Sequence, residues 1–532
     1  MSTVCDAFLA TAKAAPKNAF LCVPDPAPGA SKDISYQEAL DRVTEIRDVY
    51  AKAGYGHGHR VALLLGQAPE MVLHYLALNA LGTTMVPVNP DYRVEELSYL
   101  MSHSESSMVV ALSDRLADME AVAKKTGLSF AIVDIAKFAA GIPTVPTAAP
   151  EKGAPGPKTV CSILYTSGTT GQPKGCLLSN ECNLMAGAYY RDHGGVLTFK
   201  HGEDRLYNPS PFYHVNNLTV ALTCVILTKN CLITPERFSP SRWWPEIISS
   251  GATIVHYLGI IPSMLTKVPP SPQDRAHKAR FGFGAGIEPQ LHGPFEERFG
   301  FPLVEIWGMT ETPRVFAANH EPRQIDTRAF GRPMPDYEAK IVDDEGVEVP
   351  RGAMGELLVR TPGPNPRHGF FSGYLKNEDA TEDAWRGGWF HTGDIATMGE
   401  DGMMYFVDRK KNIVRRAGEN ISAVEVEANI LTHPAVAQVA VIAAPDDLRE
   451  EEVMACVVLK PDVKPTPELP AEIFAWCNEK MAYYKSPGWM IFLDSLPLTP
   501  SQRLQRTRIF PAGADPRVQS GVVDLRHLKK RK

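Results

Sequence analysis

The segment Tyr165–Gly175 reads Tyr-Thr-Ser-Gly-Thr-Thr-Gly-Gln-Pro-Lys-Gly and directly follows the apolar run Val160–Leu164. Gly168, Gly171 and Gly175 let the backbone come close to an anion. The hydroxyls of Thr166, Ser167, Thr169 and Thr170 add donors, and Lys174 adds positive charge, so the segment is suited to wrapping a polyphosphate. Its spacing is not that of the Walker loop, because neither Gly168 nor Gly171 precedes a Gly-Lys pair at the required distance. A Gly/Ser/Thr surface loop shares the composition, but such a loop has no need of a buried strand immediately before it.

The elements that must position this loop alternate strand and helix. Arg60–Leu65 has the apolar run of a strand, Glu70–Asn79 the pattern of a helix, and Thr84–Val88 that of a second strand, a rhythm that predicts parallel strands covered by helices. The main domain is therefore expected to be α/β. The Pro/Gly/Ala-rich stretch 142–158 reads as a surface connection into the loop rather than a boundary. Tyr405–Asp408 reads as a strand, and the charged Arg409-Lys-Lys411 after it begins something new. Beyond lie a helix over Ser422–Thr432, strands over Val436–Ala443 and Met454–Leu459, and a helix over Pro470–Met481. That outline is a small α+β module of about 120 residues, large enough to fold by itself. The expected division is a large N-terminal domain, 1–408, and a small mobile C-terminal domain, 409–532, joined by a hinge.

A chain of 532 residues with 44% hydrophobic and 22% charged residues has the composition of an ordinary folded protein of more than one domain. The net charge of −6 gives no general basic field, and no basic stripe with interleaved aromatics is present, so nucleic acid is not expected as a partner. The basic run His527–Lys532 reads as a solvated tail. The nine cysteines show neither a C-x-x-C pair nor a metal-ligand cadence and read as reduced, mostly buried thiols. No secretory signal and no integral membrane segment is apparent, which makes a cytoplasmic location the expectation.

With the Tyr165–Gly175 loop, three later motifs complete a resemblance to the adenylate-forming superfamily of acyl-CoA synthetases, peptide-synthetase adenylation domains and luciferases. Trp307-Gly-Met-Thr-Glu-Thr312 resembles its second core motif, Trp389-Phe-His-Thr-Gly-Asp394 its third, and Asp408–Ile421 its fourth. The resemblance spans nearly the whole chain and implies ATP, Mg2+ and coenzyme A as cofactors. Thr166, Ser167, Gly168, Thr169, Thr170 and Gly171 would hold the ATP phosphates with Lys174. Thr170 and Glu311 would position Mg2+, a hard ion that takes oxygen ligands. Gly284, Ala285 and Gly286 resemble the adenine-side loop; Trp307, Gly308, Met309, Thr310 and Phe406 belong with the nucleotide site; Asp394 and Arg409 would grip the ribose hydroxyls. His214, Asn216, His256 and Trp307 are acyl-pocket candidates by the same resemblance. Lys411 falls at the hinge position. The segment Arg416–Ser422, with Arg416 and Gly418, resembles the part that closes over the pantetheine arm, with Arg415 or Arg416 facing CoA phosphates.

One departure stands out. Where the family places a lysine bridging carboxylate and α-phosphate, this chain has Arg503, preceded by Gln502 in place of a glycine. Arginine keeps the charge but not the compact ammonium, so the role carries over in part. The function implied is an ATP-dependent acid–CoA ligase (AMP-forming acyl-CoA synthetase) that makes an acyl-AMP and then a thioester from a small, polar, aryl or medium-chain carboxylic acid. Two alternatives stay open: an adenylation enzyme that passes the acyl group to a carrier protein, and a catalytically weakened acyl- or nucleotide-binding protein. Oligomeric state is also open, a homodimer being the commonest oligomer.

Overall fold

The computed structural model describes residues 2–145, 147–166, 172–343, 345–409, 413–497, 506, 509–511 and 513–530. The chain divides into two compact units. Met1–Pro90, Met101–Tyr165 and Gly175–Asp408 form the larger; Asp91–Leu100, Thr166–Lys174 and Arg409–Lys532 form the smaller.

In the larger unit, the apolar run Arg60–Leu64 is a strand and sits in a sheet of seven, ordered Gly373–Tyr374, Lys174–Ser179, Val160–Thr166, Thr84–Pro87, Arg60–Leu64, Met108–Ala111, Ala131–Asp134. Arg60–Leu64 pairs in parallel with Thr84–Pro87 on one side and Met108–Ala111 on the other. Its near-continuous burial is that of a parallel strand covered on both faces. The helix that follows it, Pro69–Ala80, opens on proline at its first turn and is buried from Met71 through Asn79, as expected of a helix apolar all round. The described residues of the stretch 142–158 are mostly exposed, as read for a surface connection, and two backbone bonds pin it. Val145 donates its amide to Ala53 O at 2.9 Å and Glu151 to His57 O at 3.1 Å, so this stretch lies back along the turn before Arg60.

A second sheet of eight strands runs Thr312–Ala317, Leu303–Met309, Phe281–Ala285, Ile254–Leu258, Arg205–Tyr207, Cys231–Ile233, Ala19–Val23, Lys32–Ser35. Its inner strands are parallel, and Thr312–Ala317 and Lys32–Ser35 are added antiparallel at the edges. A third, antiparallel sheet of Ala329–Gly331, Met404–Arg409, Phe390–Met398, Gly355–Arg360 and Glu338–Val342 was not foreseen by the strand-helix rhythm. All nine cysteines are buried and none is in a disulfide. No helix among the described residues is long and apolar enough to cross a membrane.

The smaller unit holds a sheet ordered Glu419–Ser422, Ile413–Arg416, Glu450–Leu459, Trp489–Phe492, Val523–Asp524, with Val436–Asp446 also paired to Glu450–Leu459. The helices Ala423–Ile430 and Leu469–Lys480 accompany it, giving the expected α+β content. Within the basic run read as a solvated tail, His527 and Lys530 are exposed, Arg531 and Lys532 lie outside the described residues, and Lys529 departs from the reading. The side chain of Lys529 is only 2% exposed and pairs with Glu452, because the strand Val523–Asp524 docks on Trp489–Phe492 and carries the following residues inward.

Candidate functional site

The edge hairpin of the eight-stranded sheet, Leu303–Met309 and Thr312–Ala317, carries the Trp307–Thr312 motif at its turn. Parallel sheets offer ligands the crevice beyond the carboxyl ends of their strands, and this turn lies at such an end. Trp307 is 6% exposed and stacks on Phe316 with centroids 5.3 Å apart. Its Nε1–H donates to Asp394 Oδ2 at 2.8 Å. Asp394 sits in the strand Phe390–Met398, and its amide donates to Thr392 Oγ1 at 3.0 Å, which fixes the bend through Gly393. Two of the sequence motifs thus meet through one hydrogen bond. Gly308 is glycine because a Cβ there would stand 2.8 Å from Val315 Cγ1.

Glu311, at the hairpin turn, is 7% exposed, and its Oε1 accepts from Tyr374 Oη at 2.7 Å. Burial and the adjoining carboxylate push the Tyr374 phenol far above its ordinary range, so it remains a donor. Tyr374 has no counterpart in the sequence motifs. Its signal would have been the two-residue strand Gly373–Tyr374, which pairs with Cys176 and Leu177 and so brings this tyrosine in from the other sheet.

Gly284 and Ala285 end the strand Phe281–Ala285, and Gly286 begins the turn beyond it. A Cβ on Gly284 would run into the Tyr257 carbonyl, and Gly286 has φ 87°. The turn is held by Glu305, which accepts from the amides of Gly286 at 2.9 Å and Ile287 at 3.1 Å and from Tyr257 Oη at 2.6 Å. Burial raises the Glu305 carboxyl above its ordinary range against those three donors. Glu305 was missed in the sequence because a single acid inside an apolar strand carries no motif.

Of the acyl-pocket candidates, Asn216 and His256 come together. Asn216 opens a π-helical segment, Asn216–Ala221, a form of helix often found at functional positions. Its Nδ2 donates to His256 Nε2 at 2.6 Å and to Tyr190 Oη at 3.3 Å, and its Oδ1 accepts from Asn208 Nδ2 at 2.9 Å. Burial drives the His256 imidazolium pKa down to about 3, so the ring is neutral and accepts through Nε2. Phe283 closes over it edge-on, 5.0 Å between centroids. His214 begins the same helical run, its carbonyl accepting from Leu218 N at 3.3 Å, and its ring lies against Tyr213. Trp307 does not join this network; its polar atom is committed to Asp394.

Phe406 lies in Met404–Arg409, its amide donating to Arg328 O at 3.0 Å, and Arg409 ends that strand. Met309 and Thr310 flank the hairpin turn, both half-buried. Ser167, Gly168, Thr169, Thr170, Gly171, Lys411 and Arg503 lie outside the described residues, as does the side chain of Arg409.

In the smaller unit, Thr166 Oγ1 donates to Lys174 O at 3.5 Å, and Tyr99 Oη to Pro173 O at 2.8 Å, bracing both feet of the glycine-rich loop. Arg416 and Glu419 pair across a two-residue turn, Ala417 with φ 49° and Gly418 with φ 85°. Two successive positive φ angles are those of a type I′ hairpin. The turn therefore centres on Ala417-Gly418, and Glu419–Ser422 is a strand that leads into the helix Ala423–Ile430. Arg416 is buried, its Nε 2.8 Å from Glu452 Oε2, so its guanidinium braces the hairpin instead of facing a CoA phosphate.

Among the described residues no group of three or more His, Cys, Asp or Glu is placed to hold a metal ion. Mg2+ needs no such cage when it rides on phosphates; one carboxylate suffices. Glu311, buried, with a neutral phenol as the donor to its Oε1, fits that requirement.

Residues 8–375 match the profile of the AMP-binding enzyme family, and residues 425–503 that of the AMP-binding enzyme C-terminal domain. The crotonobetaine/carnitine–CoA ligase of Proteus mirabilis (strain HI4320) is 30% identical over 487 residues, 88% of this chain and 92% of the relative. The sulfoacetate–CoA ligase of Cupriavidus necator is 30% identical over 471 residues, 86% and 89% of the two chains. In fold, the chain is similar to o-succinylbenzoate CoA synthetase from Bacillus subtilis, with TM-score 0.80, 24% identity and 94% and 97% of the chains covered. It is also similar to amide bond synthetase McbA from Marinactinospora thermotolerans, with TM-score 0.80, 23% identity and 95% and 99% covered. The chain belongs to the AMP-binding enzyme family, within the adenylate-forming acyl-CoA ligase superfamily.

Proposed function

We propose that the protein joins a small polar or aryl carboxylic acid to coenzyme A at the expense of ATP, by way of an acyl-AMP. The observation that carries the reading is the bond from Trp307 Nε1 to Asp394 Oδ2, which joins two motifs that resemble the family's nucleotide site through buried side chains; in this reading Asp394 grips the ribose hydroxyls. A carboxylate oxygen of the acid attacks the α-phosphorus, the bond to the bridging oxygen breaks, and pyrophosphate leaves. Lys174 and the backbone of the glycine-rich loop neutralise charge on the phosphates. Glu311, oriented by Tyr374, would hold Mg2+, which supplies positive charge to the polyphosphate. Arg503 takes the place of the bridging lysine. The thiol of CoA then gives up its proton and attacks the acyl carbon, and AMP departs. Rotation about Lys411 exchanges the Arg503 segment for the Arg416–Gly418 turn between the halves.

The acid is held in the region of His214, Asn216 and His256. A neutral histidine, two asparagines and a tyrosine in one network, beside Phe283, favour a polar or aryl acid over a long aliphatic chain. Similarity to ligases named for crotonobetaine/carnitine and for sulfoacetate supports that class. Pyrophosphate release with Mg-ATP across a panel of acids, with and without CoA, tests the proposal. CoA-dependent multiple turnover with a polar or aryl acid is expected; ATP binding with silence across the panel would overturn it.

A further inference from the structure

Three charges are buried together in the smaller unit. Glu452 is fully buried, its Oε2 is 2.8 Å from Arg416 Nε, and its Oε1 pairs with Lys529 Nζ. Lys529 also donates to Tyr484 O at 3.1 Å, and the Val453 amide donates to Glu452 Oε1 at 2.8 Å. A Cβ on Gly488 would collide with the Glu452 side chain, so the backbone is closed down on the carboxylate. The two cations reach it from opposite directions across the sheet. Arg416 comes from the strand Ile413–Arg416 on one side of Glu450–Leu459, and Lys529 from the chain that follows Val523–Asp524, beyond Trp489–Phe492 on the other. The C-terminal family profile ends at residue 503, so Lys529 lies outside what it describes.

This arrangement fixes how Arg416 is held. Among the described residues, Lys529 and the Val453 amide take Oε1 of Glu452, and Oε2 meets the Arg416 guanidinium through Nε. Released from Lys529, the carboxylate is free to turn and take the guanidinium by two parallel hydrogen bonds, the geometry such pairs favour. Arg416 is the first residue of the Ala417-Gly418 turn, so that rotation drags the turn with it.

Resting on the ligase reading above, we propose that Lys529 is a positioning residue for the thioester-forming half-reaction, which through Glu452 and Arg416 sets the turn that closes on the pantetheine arm of CoA. The charged and polar groups around Lys529 are Glu452, Arg416, Arg449 and the Tyr484 carbonyl; burial and the two arginines hold its ammonium pKa down to about 7 against the pull of Glu452. The clamp is thus complete below neutrality and loses one of its cations above it.

The test uses the full chain and its best acid, comparing wild type with Lys529→Met. Acyl-AMP formation is followed without CoA by hydroxylamine trapping, thioester formation with CoA as the varied substrate, and folding by thermal melting. At about pH 6 the variant is expected to show a KM for CoA raised about tenfold, the size of a coupling through one ion pair, with acyl-AMP formation changed less than about twofold. At about pH 8.5, where wild-type Lys529 is neutral, the two proteins should converge. An equal KM for CoA at the lower pH, or a parallel fall in both half-reactions, overturns the positioning role. If Lys529→Met does not fold, the wild-type profile decides, and a KM for CoA flat through neutrality overturns it. Wild-type protein that makes acyl-AMP but no thioester overturns this inference and the ligase proposal together.

Discussion

Replacing Trp307 with phenylalanine removes one hydrogen-bond donor and keeps an aromatic ring against Phe316, which isolates the Trp307–Asp394 bond. That bond is 2.8 Å long and joins side chains 6% and 4% exposed, so water cannot readily take the donor's place. A hydrogen bond to a charged group contributes about 1.5–3 kcal/mol net. If Asp394 orients the ribose, that sum appears in ATP binding, as a KM for ATP raised about 10- to 150-fold. The KM for the acid should move little, because the Asn216–His256 network makes no use of Trp307. Pyrophosphate exchange with each substrate varied in turn separates the two. The smaller ring also leaves a cavity costing about 1–3 kcal/mol of stability, so thermal melting must confirm that the assay temperature lies below the transition. A Trp307→Phe protein that is folded, with unchanged KM for ATP and a raised KM for the acid, would refute the argument and put Trp307 in the acyl pocket.

Acid should destabilise the larger unit through its buried histidines. Burial lowers the pKa of His74 and His256 to about 3 and of His193 to about 4, below the unfolded value of about 6.5. The unfolded chain therefore binds more protons in that window, and the contribution is complete above pH ~6.5 and lost as pH falls towards ~3. Urea midpoints should drop across that range, less steeply in His256→Gln; an unchanged slope would remove His256 from the account. Gly284→Ala places a methyl against the Tyr257 carbonyl and should cost about 2 kcal/mol or more of stability, read as a lower melting temperature with weaker ATP binding. A protein as stable as wild type would show that the adenine-side turn has room. Ala417→Gly relieves a left-handed alanine and should raise stability by about 1 kcal/mol, checked by thermal melting.

What the sequence reveals and conceals follows from the kind of signal each element leaves. Arg60–Leu64, Pro69–Ala80 and Thr84–Pro87 are legible to within a residue or two, because burial on both faces writes an unbroken apolar run. The antiparallel sheet from Ala329 to Arg409 is not: its strands alternate buried and half-buried positions, as in Phe390–Met398, and its partners are far apart in the chain. The Ala417-Gly418 turn escapes because alanine at φ 49° is not a turn residue by type, and Gly-Glu-Asn nearby is. Among site residues, those inside long motifs could be named, whereas Tyr374 and Tyr190 enter from another strand and a helix, and Glu305, though on the strand of Trp307, is a lone acid two residues before the motif. Lys529 shows the limit of charge reading: a basic run gives the sign of each residue but not its depth.

The burial of all nine native cysteines has a practical consequence for watching this protein move. Burial pushes the Cys161 and Cys477 thiols up to about 12, so at ordinary labelling pH both are almost wholly protonated and shielded from alkylating reagents. A cysteine introduced at an exposed position will be the reactive one without any native residue being replaced. Met354 in the larger unit and Val518 in the smaller are 65% and 76% exposed. A pair of dyes at those two points would form an optical ruler that tests the proposed rotation about Lys411 in an otherwise unaltered chain.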